Sequence, residues 1–150
     1  MSLDVYLSTP KPASPIREQA TALLALIESG QRTEHEPIDD AEIDLAEALR
    51  TYVAPTRVYD ANITHNLGEM AAAAGIYKYL WRPEELGITT ARQLIEPLRA
   101  GLELLESDPA RFKAYNPENG WGSYDGLVRF VREYLEACEA APDASVRVWR

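Results

Sequence analysis

Two stretches of the chain concentrate side chains that can transfer protons or bind a ligand. In the first, ANITHNLGE at residues 61–69, Asn62, Thr64 and Asn66 surround His65, and Glu69 follows four positions later. Residues four apart share a helix face, so Glu69 can fix the imidazole while it acts as a general acid or base. We therefore take His65 and Glu69 as the catalytic candidates.

The second stretch, YNPENGWGSYDG at residues 115–126, joins turn signals to aromatic and acidic groups. Amide side chains suit phosphate or ribose hydroxyls, and an aromatic ring can stack on a base. The candidate ligand-binding residues of both stretches are Asn62, Thr64, His65, Asn66, Asn116, Asn119, Trp121, Ser123, Tyr124 and Asp125. A purely structural alternative stays open, because Thr64 and Ser123 are also good helix caps and asparagines favour turns.

A strand followed directly by a helix positions the first stretch. Residues 58–63 alternate with the period of a half-buried strand. An apolar helix face formed by Leu67, Met70, Ala71 and Ala74 then runs from a cap at Thr64 to a stop at Gly75. Helix N-termini present unpaired N–H groups, so we expect the junction to hold an anion or a polar ligand.

The remaining elements predict an α+β fold in one domain, residues 1–150. Strands are expected at both ends of the chain and at 58–63, giving a small three-stranded sheet covered by about five helices. Alternation predicts one buried face for the first strand, and helical spacing predicts a buried side with Leu127, Val131 and Cys138 for the last helix. Residues 9–56 read as an inserted helical hairpin. One helix, with Ser14 as its N-cap and an apolar stripe along one side, runs from Pro15 to Gly30, and a polar loop at 31–37 leads to another from Ile38 to about Val53. We expect Thr89 or Thr90 to cap a later helix, and Pro97 to kink or restart it.

Charge and composition exclude several function classes. The net charge is −9 with no basic stripe, which disfavours binding of extended nucleic acid. No apolar run is long enough for a membrane span and no signal peptide is visible, so we expect a cytoplasmic protein without membrane contact. With Cys138 as the one cysteine, two histidines and no zinc-protease spacing, we expect neither a metal nor a cofactor.

The hairpin suggests a further role. Residues 1–56 hold ten acidic and four basic residues. These acids are typical of a solvated helix face, but the hairpin can also dock a basic partner or pair with its copy in a homodimer. The aromatic side chains Tyr77, Tyr79 and Trp81 suit either interface anchors or core packing.

The phrases SLDVYL, NITHNLG and NGWGSYDGL resemble a family of small uncharacterised proteins carried by bacteria and bacteriophages. The resemblance covers residues 2–8 and about 57–150. The family has no established activity, so it implies no catalytic residues. Its phage association implies host interaction or interference with nucleotide-based defence signalling.

Three functional hypotheses follow from the sequence. The first is the binding of a small polar, nucleotide-like ligand where residues 62–66 meet residues 116–125. The second is a hydrolase or lyase that uses His65 as its general acid or base. The third is an interaction protein that acts through the acidic hairpin.

Overall fold

The structure, a computed structural model, describes residues 2–29 and 40–150. Residues 2–9 and 57–150 form one compact unit, and residues 10–56 form another. In chain order the elements are β1 (Ser2–Thr9), α1 (Pro15–Glu28), α2 (Asp40–Val53), β2 (Thr56–Thr64), α3 (Gly68–Ala73), α4 (Tyr77–Trp81), α5 (Arg92–Ser107), α6 (Pro109–Lys113), α7 (Tyr124–Ala140) and β3 (Ser145–Trp149). Two 3₁₀ turns complete the order: His65–Leu67 lies between β2 and α3, and Pro83–Leu86 lies between α4 and α5.

The three strands form an antiparallel sheet in the order β2-β1-β3. Alternation along β1 buries Leu3, Val5 and Leu7 completely, because successive side chains of a strand point to opposite faces. Val5 of β1 pairs with Val148 of β3. The α+β prediction, with strands from the two ends and the middle of the chain, is confirmed.

The first unit buries its core between this sheet and helices α3 to α7. The last helix, α7, begins at Ser123, whose Oγ accepts a hydrogen bond from the N–H of Gly126 at 3.1 Å. Its buried side includes Leu127, Val131 and Cys138, as the helical spacing predicted. Within the described residues, no helix combines the length and the apolar character needed to span a membrane.

The second unit pairs α1 with α2. Ser14 caps α1 and Pro15 occupies its first turn, as predicted. The predicted apolar stripe of α1 is only partly buried: Ala20 and Leu24 are covered, whereas Ile16 is 68% exposed. The predicted stop at Gly30, the loop at 31–37 and the start of the second helix at Ile38 lie outside the described residues.

Two features of α5 differ from the sequence expectations. The helix continues through Pro97 from Arg92 to Ser107, so of the kink or fresh start expected there, the fresh start does not occur. Neither Thr89 nor Thr90 caps it with a side chain. Instead, the Oε1 atom of Gln93 accepts the backbone N–H groups of both threonines at 2.9 and 3.0 Å. Gln93, in the first turn of α5, thus supplies the hydrogen-bond acceptor for the two backbone N–H groups that precede the helix.

Candidate functional site

The strand–helix junction differs from the single helix that the sequence predicts. Thr64 acts as the predicted cap, since its hydroxyl accepts the N–H of Asn66 at 3.3 Å. However, it caps only the 3₁₀ turn His65–Leu67, and the six-residue α3 follows. The macrodipole depends on aligned peptide units, so these short helices give little support to the expected anion site at a helix start.

Residues of the junction line two separate cavities. The larger, which we call the histidine cavity, has a volume of about 640 Å³ and includes residues of the junction, α4 and the C-terminus. Its lining residues are His65, Gly68, Glu69, Ala72, Tyr77, Trp81, Arg82 and Arg150. The second, which we call the loop cleft, has a volume of about 370 Å³. It is lined by Asn62, Thr64, Leu67, Gly122, Ser123, Arg129, Glu133 and neighbouring apolar residues.

The loop cleft exists because residues 62–67 approach the loop before α7. Gly122 has φ +108°, and a Cβ atom there would lie 2.8 Å from a methyl carbon of Thr64 and 2.9 Å from Cγ of Leu67. In addition, the side-chain amide of Asn66 donates to the carbonyl of Trp121 at 3.3 Å. The two sequence stretches that carry the candidate residues therefore come into contact.

The candidate polar groups of the loop cleft have structural partners. Asn62 donates from its amide to Asp4 Oδ1 at 2.5 Å, while Thr64 and Ser123 accept cap hydrogen bonds. The side chains of Arg129 and Glu133, in contrast, have no hydrogen bond or ion pair within the described part of the chain. The cleft thus offers a ligand few polar groups that are not already engaged.

The other loop candidates lie outside both cavities. Asn116 accepts the N–H of Tyr124 at 2.6 Å, and Asn119 accepts the N–H of Trp121 at 2.9 Å. Tyr124 is buried, and its hydroxyl donates to the carbonyl of Leu105 at 3.0 Å. These are the contacts of turn, cap and core residues.

Two further candidates are exposed at the surface. The indole of Trp121 is 72% exposed. Asp125 is also exposed, in the first turn of α7. Neither lines the histidine cavity or the loop cleft.

Trp81 organises the histidine cavity. It is 2% exposed, its ring stacks on Tyr77 with centroids 5.2 Å apart, and its indole Nε1–H donates to His65 Nδ1 at 3.1 Å. A neutral imidazole has one N–H and one acceptor nitrogen. Because Nδ1 accepts from Trp81, the hydrogen of the neutral ring resides on Nε2.

Two arginines border the same cavity. Arg150 hydrogen-bonds to the carbonyl of Trp81 and pairs with Glu84 at 2.7 Å. Desolvation acts to raise the pKa of Glu84, but a backbone hydrogen bond and Arg150 together hold that pKa below its usual value. Arg82 pairs loosely with Glu85 at 3.4 Å.

His65 and Glu69 both line the histidine cavity, but they do not form the expected pair. Within the described residues, no hydrogen bond joins them, and Glu69 has no ion-pair partner. The acceptor nitrogen of His65 is already used by Trp81. In this arrangement the imidazole has no lone pair available to act as a general base.

Sequence reasoning missed Tyr77, Arg82 and Arg150 as members of the site. The aromatic density of residues 76–81 marked the region, but it predicted core packing equally well. Arg150 lies 69 positions from Trp81, and no local pattern reports such a contact. Among the described residues, no group of three histidine, cysteine or acidic side chains could hold a metal ion.

Comparison with known proteins adds no assignment: no family model, curated protein or solved structure matches this chain.

Proposed function

We propose that the protein binds a small polar, nucleotide-like ligand in the histidine cavity. The observation that carries the proposal is the convergence of His65, Glu69, Tyr77 and two arginines on one cavity of about 640 Å³. Cavities of roughly 300–1,000 Å³ are typical of small-molecule sites. The guanidinium groups suit a phosphate, and the N–H and carboxylate groups suit the polar edge of a base or a sugar.

Binding without turnover fits the geometry better than the hydrolase or lyase alternative. A general base needs a free lone pair within reach of the substrate. In His65, Nδ1 accepts from Trp81 and Nε2 carries the hydrogen, so the ring presents a donor to the cavity. Glu69 is left as a hydrogen-bond acceptor for the ligand.

The resemblance to phage-carried proteins suggests a biological setting for this binding. A cytoplasmic protein that captures a nucleotide signal would interfere with nucleotide-based host defence. We therefore propose signalling nucleotides as the first ligands to test, alongside ordinary mononucleotides.

Native mass spectrometry with a nucleotide panel tests the proposal. We expect a bound species in the wild type and its loss in His65→Ala, because that variant removes the ring from the cavity. Trp121→Ala is the matched control, since its indole is exposed and outside the cavity. Retained binding in His65→Ala together with loss in Trp121→Ala would instead place the ligand at the loop.

A second candidate function is supported by the exposed apolar side chains of the hairpin unit. The large ones on α1 and α2 are Ile16, Leu23, Leu26, Ile43, Leu45 and Tyr52. They stand among acids such as Glu18 and Asp44. Exposed apolar side chains with acidic neighbours are complementary to a basic amphipathic helix, which we propose as the occupant.

A basic amphipathic peptide with a fluorescent label provides the probe for the hairpin. We expect its anisotropy signal to weaken in Leu26→Ser and to persist in Leu86→Ser, an exposed leucine of the other unit. Equal binding by both variants would reject the hairpin as the docking surface. A doubled mass in light scattering, lost in Leu26→Ser, would identify a second copy as the occupant.

A further inference from the structure

We infer that the histidine cavity holds its ligand through one oxyanion, a phosphate or a carboxylate, bound by His65 and Arg150, and that Trp81 positions both of these groups. The inference rests on the proposed function, because it names the chemistry recognised at that same cavity. It also makes Trp81 a positioning residue.

Trp81 makes contact with both proposed anion-binding residues through different atoms. Its indole N–H donates to His65 Nδ1 at 3.1 Å, which leaves the N–H of Nε2 as the donor of this ring for a ligand. Its backbone carbonyl accepts from the guanidinium of Arg150. One buried residue, whose ring packs on Tyr77, thereby anchors two donors that are distant in the sequence: its side chain holds His65 and its backbone holds Arg150.

Arg150 retains donors for a ligand. A guanidinium has five N–H groups, and the contacts to Trp81 and Glu84 are made by two of its nitrogens. The Glu84 carboxylate is about half exposed, at 51%, and exposed ion pairs contribute little to stability. An oxyanion can therefore join or replace Glu84 as a partner of Arg150.

The charges around the cavity favour one oxyanion over several. Arg82 and Arg150 contribute two positive charges, which are already paired with Glu85 and Glu84, and Glu69 contributes one negative charge. The Glu69 carboxylate has no ion pair in the described part of the chain, so it would repel a second anionic group close to it. It suits an amino or hydroxyl donor elsewhere on the ligand.

Chemical-shift titration of the whole protein with inorganic phosphate, and separately with acetate, tests the inference. We expect saturable shifts of the Gly68 and Ala72 amides and of the Trp81 indole N–H. The indoles of Trp121 and Trp149 are internal controls, since both are more than 70% exposed and outside the cavity. Stronger binding of phosphate than of acetate would identify the oxyanion as a phosphate, and the reverse order would identify it as a carboxylate.

Variants separate local recognition from a general charge effect. Arg150→Gln and His65→Gln should each weaken phosphate binding about tenfold, as expected for loss of one charge-assisted hydrogen bond. Arg147→Gln removes the same charge from an exposed position on β3, and it should leave phosphate affinity within about twofold of the wild type. Equal weakening by Arg147→Gln and Arg150→Gln would overturn the inference.

The positioning role of Trp81 has its own spectroscopic readout. In ¹⁵N-histidine-labelled protein, we expect the His65 ring to carry its hydrogen on Nε2 and to show a scalar coupling from the Trp81 indole across the hydrogen bond. Trp81→Phe keeps an aromatic ring on Tyr77 but should weaken phosphate binding about tenfold, because His65 loses its anchor. A hydrogen on Nδ1 in the wild type would reject this role.

The experiments distinguish a failure of oxyanion recognition from a failure of ligand binding at the histidine cavity. If a nucleotide binds the cavity but neither phosphate nor acetate does, and Arg150→Gln leaves nucleotide affinity unchanged, oxyanion recognition is wrong while ligand binding stands. If neither the nucleotide panel nor the anions produce shifts at Gly68 and Ala72, both proposals are wrong.

Discussion

Two buried tyrosines allow a matched test of how the first unit is stabilised. Tyr124 was a ligand-binding candidate in the sequence, but its hydroxyl donates to the carbonyl of Leu105 at 3.0 Å. The hydroxyl of Tyr134 is buried and has no hydrogen-bond partner in the described part of the chain. We predict that Tyr124→Phe destabilises the protein, whereas Tyr134→Phe does not.

The magnitude follows from what each hydroxyl contributes. Tyr124→Phe removes a buried hydrogen bond and leaves the Leu105 carbonyl unpaired, which costs about 1–2 kcal/mol of unfolding free energy. Tyr134→Phe removes an unpaired polar group and keeps the ring stacked on Tyr59, 5.6 Å between centroids. Its effect should lie between zero and a gain of about 1 kcal/mol.

Urea unfolding followed by tryptophan fluorescence gives both values, provided that the denaturant slope stays constant. The two substitutions delete the same atom, so side-chain volume is controlled. Ligand binding by Tyr124→Phe should match that of the wild type, because this residue lies outside the histidine cavity. A loss of stability in Tyr134→Phe as large as that in Tyr124→Phe would refute the reasoning.

Three further predictions concern packing and pH. Gly101→Ala would place a Cβ atom 2.1 Å from Cγ2 of Ile76, so it should lower the unfolding free energy by about 2–3 kcal/mol. In urea unfolding, adding Ile76→Ala should recover part of the stability that the clash removes. Gly122→Ala should cost about 1–3 kcal/mol because of its positive φ and the close methyl of Thr64, and unchanged unfolding would contradict the loop contact. Burial raises the pKa of Cys138 from 9.0 to about 12. Between these pH values the unfolded thiol loses its proton first, so Cys138 should lower the stability by at most ~1.4 kcal/mol per pH unit, and the fall should be less steep by that contribution in Cys138→Ala.

Local signals explain why much of the fold was predictable. The caps at Ser14, Thr64 and Ser123 formed as expected, because a cap needs only the residue and the few N–H groups that follow it. Alternation in β1 and helical spacing in α7 likewise identified the buried faces. At Pro97 the local rule did not identify a boundary, since α5 continues from Arg92 to Ser107 despite the missing N–H.

The site was less predictable because its chemistry depends on contacts between distant segments. Sequence identified His65 and Glu69 as functional candidates but paired them with each other by helical spacing. In the folded chain Trp81 takes the acceptor nitrogen of His65, and the chain end brings Arg150 to the same cavity. These partners lie 16 and 69 positions from their contacts, beyond the range of any helix or turn pattern.

The sequence by itself determined the fold class, the order of the main elements and the places where α1 and α7 begin, because hydrophobic period and capping act over a few residues. Only the tertiary structure decided that the junction borders two cavities and that Trp81, rather than Glu69, orients His65. The physical reason is that a hydrogen bond between side chains depends on where the core places them, and core packing is a property of the whole unit.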